Sequence, residues 1–123
     1  MKMILAMIRP HKLDDVKAGL SEIGVQGMSV TEIKGYGRTH GQTETYRGSA
    51  YTVEFIPKIR IEVAVPDDLV ETVLTTLETV GRTGKIGDGK VFIYSLDQAL
   101  RIRTGERGDD LEGDVLGADG AAA

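Results

Sequence analysis

The beginning of the chain combines two hydrophobic spacings. Residues 2–9, KMILAMIR, form a nearly continuous apolar run, which is too short for a helix and typical of a central strand covered on both faces. After Pro10 the apolar residues recur at three- and four-residue steps, which predicts an amphipathic helix that ends at Gly24. This stripe consists of Leu13, Val16, Leu20 and Ile23. The next segment, GMSVTEIK at residues 27–34, predicts a second strand.

The later part of the chain repeats this order of spacings. Residues 58–65 alternate, which predicts a strand with an aliphatic core face and a second, largely polar face. The core face would hold Ile59, Ile61, Val63 and Val65, and the other face Lys58, Arg60, Glu62 and Ala64. Pro66 and the two aspartates after it predict the start of a second helix, because acids stabilise the positive end of the helix dipole. The last strand is predicted in VFIYSL, residues 91–96.

A long polar stretch separates the two halves. The segment from Gly37 to Thr52, GRTHGQTETYRGSAYT, contains no Val, Ile, Leu, Met or Phe and so has little to contribute to a core. A connection of this length in a small domain is uncommon, and it is usually functional or disordered. We predict an exposed loop that the protein presents to its partners, on a scaffold that senses small molecules at the base of the loop.

The order of elements predicts the fold. Strand, helix and strand occur twice, which is the pattern of an α+β, ferredoxin-like βαββαβ sandwich with its long loop between strands 2 and 3. Both helices would pack on one face of an antiparallel sheet and leave the other face exposed. Because the first and last strands are apolar on both faces, we expect a homo-oligomer to cover that second face.

Composition narrows the class of protein. With 123 residues and 41% hydrophobic content, the chain fits one globular domain. It has no apolar run near the roughly 20 residues of a membrane span and no cleavable signal, so we expect a cytoplasmic protein. No cysteine and only two histidines are present, which argues against a metal site built by the protein itself.

Charge is distributed unevenly along the chain. The net charge is −4, but residues 106–123 hold six of the 19 acids and one of the 15 basic residues, which leaves a nearly neutral body. This composition predicts a disordered acidic tail at residues 107–123, after a single domain at residues 1–106. The absence of an excess of basic residues argues against a nucleic-acid partner.

The segment TGKIGDGK, Thr83 to Lys90, carries the strongest chemical signal. Glycine allows backbone N–H groups to turn toward an anion, and lysine adds positive charge, so this loop could cradle phosphates. Its spacing is not that of a Walker loop, which opens a helix. The alternative is an ordinary turn between helix and strand.

Two further groups of charged residues could read a ligand. Arg101 and Arg103, in RIRTGE, would point to one side of an extended chain, where an anion between them would relieve their repulsion. Lys58 and Glu62 share one strand face and could read a carboxylate and a ribose or base edge. The alternatives are solvated arginines for the first pair and a weak ion pair for the second.

Four segments together resemble the signatures of one protein family. TEIKGYGR, TETYRGSAY, TGKIGDGKVFIYS and RIRTGE are similar in content and spacing to the PII signal-transduction proteins, of the general or the ammonium-transporter-associated type. The resemblance runs from Met1 to about Glu106 and does not cover the tail. It implies a compact homotrimer that binds ATP or ADP in the clefts between subunits, with an exposed T-loop at residues 37–54.

The resemblance also implies the ligand-binding residues. The nucleotide site would consist of Ser29, Gly37, Arg38, Glu62, Ala64, Gly87, Asp88, Gly89, Lys90, Arg101 and Arg103. The 2-oxoglutarate site would consist of Arg9, Thr39, Gly41, Lys58 and Gly87. The family usually has a glutamine at position 39, where it helps to ligate the Mg²⁺ carried with ATP. Here Thr39 stands in its place, so that Gln42 or a water are alternative ligands and the response to 2-oxoglutarate is open.

The tip of the loop would meet other proteins. Tyr51 matches the tyrosine nucleotidylated in many family members, which implies a nucleotidylyltransferase as a partner, and Ser49 matches a serine phosphorylated in others. Arg47 resembles the arginine that plugs the ammonium channel. The alternatives are that neither hydroxyl is modified and that Arg47 is merely solvated.

The expected function is therefore regulatory. A trimer whose effectors set the T-loop conformation would dock onto an ammonium transporter or onto enzymes of nitrogen metabolism, and it would meet a membrane only through such a transporter. A nucleotide-hydrolysing enzyme is the first rival, but Asp88 is the only acid in the glycine loop and no base and nucleophile are paired. The second rival, a structural trimer such as the copper-tolerance proteins, would leave TGKIGDGK and RIRTGE unexplained.

Overall fold

The computed structural model describes residues 1–25, 27–37 and 54–108. Two helices and four strands follow one another in these parts of the chain in the order βαββαβ, and a short 3-10 turn precedes each helix. The elements are β1 (Lys2–Ile8), α1 (Leu13–Glu22), β2 (Ser29–Gly37), β3 (Glu54–Val65), α2 (Val70–Gly81) and β4 (Lys90–Ser95), with the 3-10 turns at Pro10–Lys12 and Asp67–Leu69. No helix in these described parts is long and apolar enough to cross a membrane.

The four strands form one antiparallel sheet in the order β2-β3-β1-β4. β1 lies between β3 and β4, so the apolar run at the start of the chain is an inner strand, as its sequence predicts. This arrangement of two helices and four strands confirms the predicted ferredoxin-like fold. Gly24 ends the first helical segment with a φ of 100°, a backbone conformation that favours glycine.

The core lies between one face of the sheet and the two helices. Alternate residues of β1 and β3 are buried on this face, and the helix stripes supply the opposite wall. The core residues of these four elements are Ile4, Ala6, Ile8, Val16, Leu20, Ile59, Ile61, Val63, Val65, Val73 and Leu77. The alternation predicted for residues 58–65 and the helix stripe predicted after Pro10 are therefore confirmed.

The other face of the sheet carries apolar side chains among charged ones. Leu5 lies between Glu62 on β3 and Phe92 on β4. Phe92 is 48% exposed, and Tyr94, which follows it on the same face, is 47% exposed. A buried Nε of Arg60 on this face has no hydrogen-bond partner among the described residues. Within one chain this face thus leaves apolar rings exposed and one buried polar atom without a hydrogen-bond partner among the described residues.

The β2–β3 hairpin extends further than the sequence predicts. β2 was expected to end near Lys34, but the ladder continues to the pair of Gly37 and Glu54. Tyr36 and Phe55 face each other across this extension, with ring centroids 5.3 Å apart. Cross-strand aromatic contact stabilises a sheet, and it explains why the strands continue past the predicted boundary. The rest of the predicted T-loop and the tail from residue 109 lie outside the described residues.

Candidate functional site

The glycine loop between α2 and β4 lies against the end of β1. Gly84, Gly87 and Gly89 have φ values of 89°, 104° and 109°, which other residues rarely adopt. A Cβ at Gly89 would lie 1.8 Å from the carbonyl oxygen of Met7, so only glycine allows this approach of the two backbones. The sequence TGKIGDGK therefore has its glycines at the positions where the turn requires them.

Asp88 organises the first half of this loop. Its Oδ2 accepts hydrogen bonds from the backbone N–H groups of Thr83 and Gly84, both at 2.8 Å. Its Oδ1 accepts the hydroxyl of Thr83 at 2.5 Å and the Nε of Arg9 at 2.8 Å. The hydroxyl of Thr83 and then the Arg9 guanidinium hold the pKa of the Asp88 carboxyl far below its usual range. The carboxylate is therefore charged and fully engaged within the protein.

Two cations from other elements hold the second half of the loop. Arg9, which follows β1, donates through Nη2 to the carbonyl oxygen of Ile86 at 2.9 Å. Lys58 on β3 donates through Nζ to the carbonyl oxygen of Gly87. Burial, followed by the nearby charge of Arg9, lowers the pKa of Lys58. The structure thus brings Arg9, Lys58, Gly87 and Asp88, which the sequence assigned to two ligands, into one cluster.

The charge of this cluster suits an anionic ligand. Arg9, Lys58 and the exposed Lys90 supply three positive charges, and Asp88 supplies one negative charge. A pocket of about 300 Å³ opens on the other side of the loop, between α2 and the paired ends of β1 and β4. Asp88, Gly89 and Lys90 line it, whereas Arg9 and Lys58 do not. This volume lies at the lower end of the range for small-molecule sites. The glycine backbone and the cations fit a phosphate group better than they fit a metal ion.

The second basic segment differs from its prediction. Arg101 and Arg103 were expected to point to one side of an extended chain, but residues 102–104 form a turn. The backbone N–H of Arg101 donates to the carbonyl oxygen of Glu106 at 2.9 Å, and its guanidinium forms an ion pair with the Glu106 carboxylate. The hydroxyl of Thr104 and then the Arg101 guanidinium lower the pKa of Glu106. Arg103 is exposed at this turn, so the extended geometry was wrong.

Three residues assigned to the nucleotide site, Ser29, Glu62 and Ala64, lie on the face of the sheet away from the helices. Ser29 on β2 pairs directly with Glu62 on β3, and Ala64 follows two residues later on the same face. Ala64 is buried, whereas Ser29 is exposed. Gly37 is the last residue of β2, at the root of the predicted T-loop. These assignments remain predictions, and the structure shows where each residue lies.

Several predicted residues lie outside the described residues. They are Arg38, Thr39 and Gly41 at the base of the loop, and Arg47, Ser49 and Tyr51 at its tip.

Two residues of the site had no role in the sequence analysis. Thr83 donates to Asp88, and Glu106 binds Arg101. A threonine followed by glycine in a polar turn is a local signal for a side chain that bonds to the backbone, and the N–H of Lys85 does donate to the Thr83 hydroxyl at 3.1 Å. The contact of Glu106 with Arg101 was missed because the alternation of arginines in RIRTGE predicted an extended chain.

Fold and site together define a ferredoxin-like protein whose glycine loop is held by one basic residue on β3 and another that directly follows β1. A family model described as nitrogen regulatory protein P-II matches residues 1–106. The chain belongs to this family. It is similar to the nitrogen regulatory protein P-II of Cereibacter sphaeroides, with 57% identity over 110 residues, 89% of this chain and 98% of the relative.

Two further relatives carry related names. The nitrogen regulatory protein P-II of Haemophilus influenzae is 54% identical over 110 residues, 89% of this chain and 98% of the relative. Nitrogen regulatory protein P-II 1 of Escherichia coli is 54% identical over 109 residues, 89% of this chain and 97% of the relative. These names describe regulators and not enzymes, which confirms the regulatory class predicted from the sequence.

Proposed function

We propose that this P-II protein binds ATP or ADP, and 2-oxoglutarate, in clefts between the subunits of a homotrimer. The ligands would set the conformation of the T-loop, which docks onto an ammonium transporter or onto enzymes of nitrogen metabolism. The convergence of Arg9 and Lys58 on the glycine loop carries this proposal, because it joins the two ligand sites at one group of atoms. Since the proposed ligands are cytoplasmic metabolites, the protein would work in the cytoplasm.

The phosphates of the nucleotide would bind at the second half of the glycine loop. Gly87 and Gly89 turn the backbone there, and Lys90 is an exposed cation at the start of β4. In a trimer, Arg103 of a neighbouring subunit, together with Arg101, would add charge to the same phosphates. Arg101 is already oriented by Glu106, which would reduce the entropy lost when it binds.

The uncovered face of the sheet supports the trimer. Phe92 and Tyr94 are each about half exposed, and Leu5 lies beside Phe92 on the same face. Arg60, opposite Met7 on the same face, has a buried Nε that lacks a partner among the described residues. Two further copies of the chain would cover the rings and could supply an acceptor for Arg60.

The 2-oxoglutarate site would use the cations that now hold the loop. Lys58 and Arg9 donate to the carbonyl groups of Gly87 and Ile86. The carboxylates of 2-oxoglutarate, placed near them, would accept hydrogen bonds from the same two side chains. Mg²⁺ would enter with ATP, and Thr39 would offer a hydroxyl where the family has a glutamine. Gln42 or a water are the alternatives. Because residue 39 lies at the base of the T-loop, a metal contact there would couple 2-oxoglutarate binding to the conformation of that loop.

The tip of the T-loop would carry the regulatory output. Arg47 would enter the pore of an ammonium transporter, and Ser49 or Tyr51 would accept a charged group from a modifying enzyme such as a nucleotidylyltransferase. Either modification would add negative charge and so change which surface the loop can meet. Pull-down from cell extract with ATP, ADP and 2-oxoglutarate varied would test this part, because a regulator should exchange partners with its effectors.

Calorimetry tests the nucleotide site. Wild-type protein should bind ATP, and the double variant R101A/R103A should lose most of this binding. Arg107→Ala is the matched control, because it removes an arginine of the same segment that has no assigned contact with nucleotide. Light scattering must give the same mass for all three proteins. Unchanged ATP affinity in R101A/R103A would remove these arginines from the site.

A second titration tests the consequence of Thr39. With Mg²⁺ and ATP present, 2-oxoglutarate is added to wild type and to Thr39→Gln. Heat in wild type supports the threonine as a working substitute, whereas heat only in Thr39→Gln means that this protein has lost the response. A steady-state phosphate-release assay on the same samples should give no turnover, since the only acid of the loop is engaged by four donors.

A further inference from the structure

The carboxylate of Asp88 has no acceptor capacity left for a ligand. An ionised carboxylate offers about four lone-pair sites. Four donors fill them: the Nε of Arg9, the hydroxyl of Thr83, and the backbone N–H groups of Thr83 and Gly84. Their distances lie between 2.5 and 2.8 Å, which is typical of strong, charge-assisted hydrogen bonds. A side chain in this position cannot donate to a phosphate, and its charge would repel one.

The backbone N–H groups of Thr83 and Gly84 are of the kind that binds phosphate in glycine loops. Consecutive N–H groups in a glycine turn form a concave anion site. In this loop the groups of Thr83 and Gly84 converge on Oδ2 of Asp88, both at 2.8 Å. The protein therefore supplies its own anion to the first half of the loop.

We propose that Asp88 and Thr83 are positioning residues of the nucleotide site, which keep the glycine loop folded in the absence of nucleotide and confine the phosphates to the segment from Gly87 to Lys90. The inference rests on the proposed nucleotide binding. It assigns Asp88 an indirect role and gives Thr83 a role that the loop sequence alone did not reveal. A loop that is folded in advance does not lose further conformational entropy when the ligand binds, and the affinity rises accordingly.

The contacts of Arg9 extend this arrangement to the other half of the loop. The guanidinium binds Asp88 through Nε and the carbonyl oxygen of Ile86 through Nη2, at 2.8 and 2.9 Å. A Cβ at Gly87 would lie 3.2 Å from Nη2, so the loop and the arginine are closely fitted. Asp88 thus fixes the arginine that in turn supports the backbone beside the phosphate segment.

Amide hydrogen exchange of the nucleotide-free, full-length protein tests whether Asp88 accepts the backbone N–H groups of Thr83 and Gly84 before any phosphate binds. The amides of Thr83 and Gly84 should be protected in wild type and should exchange roughly ten- to a hundredfold faster in Asp88→Asn, which weakens a charge-assisted acceptor. Amides of β1 and β3 serve as the reference for intact folding. If the amides of Thr83 and Gly84 are unprotected until ATP is added, a phosphate and not Asp88 occupies them, and the inference is wrong.

ATP titrations of threonine variants test the positioning role. Thr83→Val should weaken ATP binding on the order of tenfold, because the hydroxyl donor to Asp88 is lost. Thr83→Ser keeps the hydroxyl and should remain within about threefold of wild type. Thr75→Val, at an exposed site on α2, is the matched control and should bind as wild type does.

The two sets of measurements separate this inference from the proposed function. If wild type does not bind ATP, the proposed nucleotide binding is wrong. Thr83 then has no nucleotide affinity to influence, and the positioning role is wrong as well. If wild type binds ATP and Thr83→Val binds equally well, the positioning role is overturned while nucleotide binding stands. If Asp88→Asn does not fold, the comparison of Thr83→Val with Thr83→Ser decides whether the positioning role is correct, because neither variant changes the charge of the loop.

Discussion

The Nε of Arg9 and the Oδ1 of Asp88 lie 2.8 Å apart, although 79 positions separate the two residues in the sequence. This contact ties the end of β1 to the glycine loop before β4. β1 and β4 are paired, with Met7 opposite Lys90, so the sheet brings the two ends together and the ion pair secures the loop on them. Arg9 therefore connects the fold of the sheet to the shape of the site.

Acid should weaken the protein partly through Asp88. Because its hydrogen bonds lower the pKa of the folded state, the carboxylate contributes stability above its unfolded pKa, near pH 4, and this contribution falls as the pH drops further. Asp88→Asn should be less stable than wild type at pH 6, and the difference should shrink below about pH 4. Urea unfolding between pH 3 and pH 7 measures it.

Asp97→Asn is the matched control for this experiment, since Asp97 is an exposed carboxylate after β4. Its stability should stay close to that of wild type at each pH. A constant difference between Asp88→Asn and wild type from pH 7 to pH 3 would contradict the predicted role of the charge.

Two glycines of the loop should respond differently to alanine. Both Gly84 and Gly89 have positive φ values, so each substitution costs about 1–2 kcal/mol in backbone strain. Only at Gly89 would the new Cβ overlap another atom, the carbonyl oxygen of Met7 at 1.8 Å, whereas nothing lies within 4 Å at Gly84. Gly89→Ala should therefore lower the free energy of unfolding by about 3 kcal/mol or more, and Gly84→Ala by clearly less.

Chemical denaturation of the two variants measures this comparison. Equal losses of stability would mean that the loop moves away from β1 at little cost, and that the close approach at Gly89 does not hold it in place.

The sequence predicted the fold well because periodicity reports burial directly. The alternation of Ile59, Ile61 and Val63 and the helix stripe of Val16 and Leu20 identify the faces that the core then buries. The end of β2 was harder to predict from the sequence, because Gly35 and Gly37 are poor strand residues. The ladder there depends on a tertiary contact between two aromatic rings.

The candidate site was predicted in its parts but not in its connections. TGKIGDGK identifies a tight turn from the sequence, since its glycines have an intrinsic conformational role. No local pattern shows that Arg9 would reach Asp88, because that pairing depends on how β1 and β4 are arranged in the sheet. The turn at residues 102–104 was missed for the opposite reason, since the local contact of Arg101 with Glu106 prevails over the extended conformation.

The aromatic pair at the root of the T-loop should stabilise the hairpin measurably. Tyr36 and Phe55 are each 65% exposed, so they stabilise the hairpin through their mutual contact and not through burial in the core. A double-mutant cycle with alanine at both positions should give a coupling of about 0.5–1 kcal/mol in the free energy of unfolding. A cycle between Tyr36 and the exposed Ile86 is the control and should give no coupling. Absence of coupling between Tyr36 and Phe55 would leave the extension of the hairpin without its proposed cause.

Charge on the uncovered sheet face should dissociate the proposed trimer. Phe92 is 48% exposed and points away from the core, so Phe92→Lys should fold while it places a charge where another copy would bury an apolar ring. Sedimentation should then give the mass of one chain, compared with three for wild type. Thr75→Lys adds the same charge at an exposed site on α2 and should leave the mass unchanged. A Phe92→Lys protein that keeps the mass of wild type would show that the subunits meet through a different surface, and the shared clefts proposed for the nucleotide would have to be sought there.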